Sequence, residues 1–176
     1  MKKEEILFQN RCAYTRPVML EMYRKAYSTG FVLLLMIFEL VFILSALASF
    51  VGGKENYASG FMMLVYFAVT VFLHVGLPWV RAGRAVKQAK AVFHGPVTVD
   101  VLFSEHELQS RNEVTGAESA VEYGQIVQVS QSKDLYFLKL KSRIFVLLDK
   151  KGFEKGSPEE FERFIRKKAE NAKILL

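Results

Sequence analysis

FVLLLMIFELVFILSALASFV, residues 31–51, and GFMMLVYFAVTVFLHVGLPWV, residues 60–80, decide the fold. The first holds a single ionisable side chain, Glu39, and the second none but His74. Each reaches the ~20 residues that a helix needs to cross ~30 Å of hydrocarbon. Neither has the one-sided polar face of a helix lying on a membrane surface. A chain of 176 residues cannot bury two helices that are apolar all round in a soluble core. Between them Gly52-Gly53-Lys54-Glu55-Asn56-Tyr57-Ala58-Ser59 is short and rich in turn formers. The pattern predicts a two-helix transmembrane hairpin over residues 31–80.

The charges around the hairpin predict its orientation. Residues 1–94 carry eleven Lys and Arg against five Asp and Glu, which supplies the whole net charge of +6, whereas residues 95–176 carry thirteen of each. Arg11, Arg16, Arg24 and Lys25 precede the first span, Arg81, Arg84, Lys87 and Lys90 follow the second, and the loop offers only Lys54. Basic residues stay on the cytoplasmic side, so both termini are expected there, in a multi-pass protein of the cell (inner) membrane. Tyr27, Trp79 and Tyr57 stand at the span ends, where amphipathic rings prefer to lie. A basicity that flanks apolar spans reads as orientation and not as a nucleic-acid footprint. The opening Met1-Lys2-Lys3-Glu4-Glu5 does not read as a secretory signal. Cys12 is the lone cysteine, which excludes a disulfide framework and a Cys-rich metal site.

The segments flanking the spans have their own patterns. Within residues 1–30, residues 5–14 (EILFQNRCAY) read as a short strand, and Thr15 with Pro17 starts a juxtamembrane helix whose apolar stripe is Val18, Met19, Met22, Tyr23 and Ala26. Residues 81–94 continue the second span as a basic connecting helix. Arg81, Arg84 and Lys87 recur on it at helical spacing, as anionic-lipid contacts or as a solvated face.

From Gly95-Pro96 the period switches to that of strands. Residues 97–103, 107–112, 117–123, 126–132, 135–141 and 144–148 read as short strands, with hairpin turns at 132–134 and 142–143. Ser157-Pro158-Glu159-Glu160 is a capping box with proline in the first turn, and it opens an amphipathic helix over 158–172 with Phe161, Phe164, Ile165, Ala169 and Ala172 on one stripe. Residues 95–176 are therefore expected to form a cytoplasmic antiparallel β-barrel plugged by its last helix, the pleckstrin-homology (PH) architecture. The strand at 5–14 is a candidate further member, which would make the domain discontinuous. The fold class is an α+β membrane protein.

The order of elements, a Tyr-x-x-Ile step (Tyr123–Ile126), a Lys-x-x-Phe step (Lys150–Phe153) and a closing SPEEFERFI helix (157–165) resemble the bacterial YcxB-like membrane proteins. The resemblance implies a bacterial inner-membrane protein with a cytoplasmic PH-like domain and no established reaction. It carries no functional residues over to this chain.

Candidate chemistry is sparse. Phosphate recognition on a PH-like first hairpin wants clustered Lys and Arg, yet the turn here is Ser104-Glu105-His106-Glu107. His94 and His106 read as solvated turn residues. No metal-ligand spacing and no glycine-rich phosphate loop is legible, so no catalytic residue, metal or cofactor is expected. The one local feature is the pair Glu39 and His74, since ionisable groups inside spans face protein or water. At 1.5 Å per residue they lie ~12 Å and ~9 Å from the same end of the hairpin. A structural staple and a proton or ion relay both fit. Two function classes follow. The first is a non-enzymatic membrane-anchored interaction module, with the lipid bilayer, a protein partner or a second copy as partners and no nucleic acid. The alternative is a subunit of a small oligomeric transporter or channel that uses Glu39 and His74.

Overall fold

The computed structural model describes residues 5–93 and 97–176. The opening four residues, His94 and the Gly95-Pro96 break fall outside them. The chain divides into two compact units, one made of the described residues up to Met22 and from Val86 onward, the other of Tyr23–Ala85.

The second unit is the hairpin. Helix α1 (Arg16–Ala26) ends before Ser28, whose hydroxyl accepts from the Phe31 N–H and starts a new helix, α2 (Thr29–Val51). After a short turn at Lys54–Asn56 the chain returns as α3 (Tyr57–Val71), one π-helical turn (Phe72–Gly76) and α4 (Leu77–Phe93). Across the hairpin Phe42 meets Tyr66, and Phe50 meets Tyr57 and Phe61. Gly60 is buried under Phe50, and a Cβ there would stand 3.0 Å from the ring. The hydroxyls of Ser49 and Thr70 donate to carbonyls one turn back, so they need no other partner. Both helices are long and apolar enough to cross a membrane, and only 11% of each apolar stretch is buried within the molecule. Leu33, Leu40, Phe61 and Val65 are all more than half exposed.

The first unit is built on nine strands in two sheets. Strand β1 (Phe8–Ala13) pairs antiparallel with β2 (Thr98–Phe103), which continues through β3 (Glu107–Asn112) to β4 (Glu118–Glu122). The second sheet holds β5 (Ile126–Gln131), β6 (Leu135–Leu140) and β7 (Phe145–Asp149). After β7 a turn at residues 150–152 carries the chain to β8 (Phe153–Lys155), at the other edge of the first sheet beside β1. The strand orders are β4-β3-β2-β1-β8 and β7-β6-β5-β9, where β9 is Lys173–Leu175.

Alternation drives this packing. Val101, Phe103 and Leu108 on the first sheet and Val129, Tyr136, Leu138 and Leu148 on the second face one core. Helix α5 (Pro158–Lys168) starts on a complete capping box, with Ser157 and Glu160 each accepting from the other's backbone N–H. It lowers Phe161 and Ile165, both fully buried, into that core. A smaller cluster of Cys12, Leu135, Phe137 and Leu147 takes Tyr14, Val18 and Met22 against it. Burial pushes the Cys12 thiol up to about 12, so it stays a neutral apolar filler.

Two expectations are corrected. The strands do not close into a barrel. The outer edge of β5, which a closing strand would need, is taken by β9 in a parallel pairing at Gln128–Lys173, Val129–Ile174 and Ser130–Leu175. One turn of 3₁₀-helix at Tyr123–Gln125 then carries the chain from β4 into the other sheet. The last helix also stops at Lys168, not at 172. Ile174 and Leu176 pack against the core, and that burial outweighs four more helical residues.

Candidate functional site

The hairpin brings Glu39 and His74 together. His74 Nδ1 lies 3.3 Å from Glu39 Oε1, with side-chain exposures of 25% and 19%. His74 sits in the π-helical turn, and Pro78 accounts for that turn. Proline has no N–H and its ring crowds the carbonyl four residues back, which is that of His74. The helix widens instead, and the Leu77 N–H bonds the Phe72 carbonyl. This leaves the Leu73 carbonyl with neither an α donor, because Leu77 is engaged, nor a π donor, because Pro78 has none. The Tyr27 hydroxyl donates to it at 3.4 Å. Single π turns inside α-helices recur at functional sites. The sequence placed Glu39 and His74 at similar depth and Tyr27 at a span end, while the π turn and the Tyr27 bond to Leu73 escaped it. Pro78 was the available signal.

Arg81, Arg84 and Lys87 are all exposed along α4. The acidic turn between β2 and β3 is tied up internally. Ser104 bonds Glu107 through its backbone and its hydroxyl, and Tyr123 Oη donates to the Ser104 carbonyl at 2.7 Å. Lys168 pairs with Glu105 and holds its carboxyl below the usual range. Among the described residues no group of three or more His, Cys, Asp or Glu side chains could hold a metal ion.

The outer face of the first sheet carries an ordered row of charge. Arg11 stands opposite Asp100, Asp100 opposite Arg111, and Arg111 opposite Glu118. Arg11 Nε is 3.8 Å from Asp100 Oδ1, and Arg111 Nε is 3.4 Å from Glu118 Oε1. Glu113 also bonds Arg11, and Glu154 stands 3.6 Å from it. Burial, with Glu113 alongside, raises the Asp100 carboxyl above its ordinary value. The row reads plus, minus, plus, minus across four strands and ends on β4.

Beyond β4 the two sheets diverge. A cleft of about 410 Å³ opens there, lined by Val99 and Val121 on one side and Leu140, Ile144, Phe145 and Val146 on the other. The cleft follows from the unclosed barrel, so a sequence reading that closed the barrel could not see it.

Residues 103–166, a little over a third of the chain, match the family described as YcxB-like protein. The matched region contains the Tyr123–Ile126 and Lys150–Phe153 steps and most of α5. No curated protein and no solved structure matches the chain.

Proposed function

We propose that the chain is a non-enzymatic, membrane-anchored interaction module. The α2–α3 hairpin spans the cell membrane, both termini are cytoplasmic, and the sheet unit is a PH-like domain that presents a surface to a protein partner. One observation carries this reading. Two helices of transmembrane length leave a wide apolar surface exposed, with only 11% of each apolar stretch buried, and water is a poor solvent for it. Lipid is the medium that accepts such a pair, because each helix satisfies its own backbone. The internally bonded acidic turn between β2 and β3 argues against phosphate ligands there, and a protein partner fits better.

Orientation is the direct test. Cys12 is the only native cysteine and is buried, so added cysteines can be read without background. Asn56 and Lys133 are both exposed. With Asn56→Cys and Lys133→Cys, an impermeant maleimide on intact cells should label the first and spare the second. Labelling of the second from outside would overturn the topology.

The contact between Glu39 and His74 supports a second reading, in which oligomers of the hairpin conduct protons or ions. The module reading treats the pair as a staple. Glu39→Gln then keeps a hydrogen bond to the imidazole and costs little, and Glu39→Leu costs ~0.6–2 kcal/mol of hairpin stability. Proteoliposomes under a pH gradient separate the two. The staple predicts no flux in either protein, whereas wild-type flux that vanishes with Glu39→Gln would select the transporter.

A further inference from the structure

We infer that the open edge of β4 is a docking site for an extended peptide segment of another protein, one bearing Lys or Arg on either side of an apolar pair. The inference rests on the module reading and names the chemistry of the partner.

The backbone supplies the first argument. The Asn112 N–H bonds the Ala117 carbonyl, which sets the alternation of the antiparallel β3–β4 ladder. Ser119 and Val121 thus turn their N–H and C=O groups toward β3, and Glu118, Ala120 and Glu122 turn theirs outward. Glu118, Ser119, Ala120 and Glu122 are exposed. An edge with outward-facing donors and acceptors is a template for strand addition.

The side chains say what would add. On the outer face the charge row ends in Glu118, so the next strand continues it with a cation. At the other end of β4, Glu122 stands opposite Glu107, a like-charge pair that an added cation would relieve. Residues 118 and 122 share one face of the strand, so the added cations are spaced i, i+4. The intervening i+1 and i+3 positions lie opposite Ser119 and Val121 and point into the cleft, where Leu140, Ile144 and Val146 offer apolar contact. The recognised pattern is basic–apolar–any–apolar–basic. A second copy of this chain fits poorly. Antiparallel pairing of β4 with itself puts Glu118 opposite Glu122, and parallel in-register pairing sets each Glu against its equivalent.

The test uses the full chain in nanodiscs of uncharged phosphatidylcholine, so that a basic peptide gains nothing from lipid. Two fluorescent peptides are titrated by anisotropy, one containing Lys-Val-Thr-Val-Lys and the other Glu-Val-Thr-Val-Glu. Wild type should prefer the lysine peptide by about tenfold, and that preference should weaken with salt. The double variant Glu118→Lys/Glu122→Lys should reverse the preference. Ala120→Pro removes an outward N–H without breaking a β3 bond, and should abolish binding of both peptides. Binding that ignores the charge reversal, or absence of binding by either peptide, overturns the proposal. So does dimerisation of the chain that Ala120→Pro abolishes, since it would give the edge to a second copy. A partner crosslinked elsewhere on the sheet unit and indifferent to Ala120→Pro would leave the module reading standing and remove only this site.

Discussion

Phe161→Ala is expected to cost the sheet unit ~3–5 kcal/mol, the range for removing a fully buried aromatic ring. Phe161 is the hub of the core. Its ring lies 5.0 Å from that of Phe103, 5.4 Å from those of Tyr136 and Phe153, and 5.9 Å from that of Phe8. These four rings come from β1, β2, β6 and β8, so one side chain on α5 bridges both sheets. With the two sheets unclosed, no continuous ladder compensates when that bridge is lost. Small domains have ~5–15 kcal/mol of stability in all, so this change alone removes a large part. In a scan of the micellar protein the sheet transition should fall by roughly 10–30 °C, while the helical signal of the hairpin persists. Phe161→Leu keeps most of the volume and should cost clearly less. A loss below ~1 kcal/mol for the alanine variant would show that α5 is not the bridge.

The legible parts of this fold were those set by local chemistry. Residues 31–51 and 60–80 are apolar with a turn between them, and the chain has few other ways to use such a pair. Ser157-Pro158-Glu159-Glu160 announced α5 because its capping groups are all within three residues. What the sequence concealed depends on register and on distant partners. β9 is three residues long, and its pairing with β5 has no local signal beyond the apolar run Ile174-Leu175-Leu176. With β9 unseen, the strand pattern pointed to a closed barrel, and the cleft disappeared from view. The charge row is hidden for the same reason. Arg11, Asp100, Arg111 and Glu118 form a line only once three strand registers are fixed.

The polar pair in the hairpin shows the intermediate case. Similar depth could be counted along two helices, so Glu39 and His74 were nameable as candidates. Their direct contact depends also on the rotation of each helix, which the all-round apolar spans do not encode. Nor does counting reveal the Leu73 carbonyl that the π turn releases. The cue was Pro78, whose effect on the turn before it follows only once the helix is continuous through it.

Asn10→Ala should cost ~1–3 kcal/mol, because its side chain closes a corner where the sheets join. Asn10 is fully buried. Its amide donates to the Asp149 carbonyl at 2.7 Å and accepts from the Asp149 N–H at 3.1 Å, at the end of β7. Next to it the Arg11 N–H bonds the Gly152 carbonyl, and a Cβ on residue 152 would stand 2.1 Å from the Arg11 carbonyl oxygen. The turn from β7 to β8 is thus pressed against β1. Asn10 satisfies the Asp149 N–H and shares the Asp149 carbonyl with the Gly152 N–H. Removing it strands that N–H, at ~1–3 kcal/mol. Asn10→Asp separates this account from simple loss of volume. Ionised, the new carboxylate still accepts from the Asp149 N–H but faces the Asp149 carbonyl with no proton to donate. Burial raises the pKa of such a carboxyl, so protonated carboxyl is favoured in the folded state and restores the missing donor. Stability relative to wild type should therefore recover as pH falls through the raised folded value, and be lost again as pH rises through it. Denaturation of both proteins across pH 4–8 reads this out. A deficit in Asn10→Asp that stays constant over that range would mean the two bonds to Asp149 do not hold the corner.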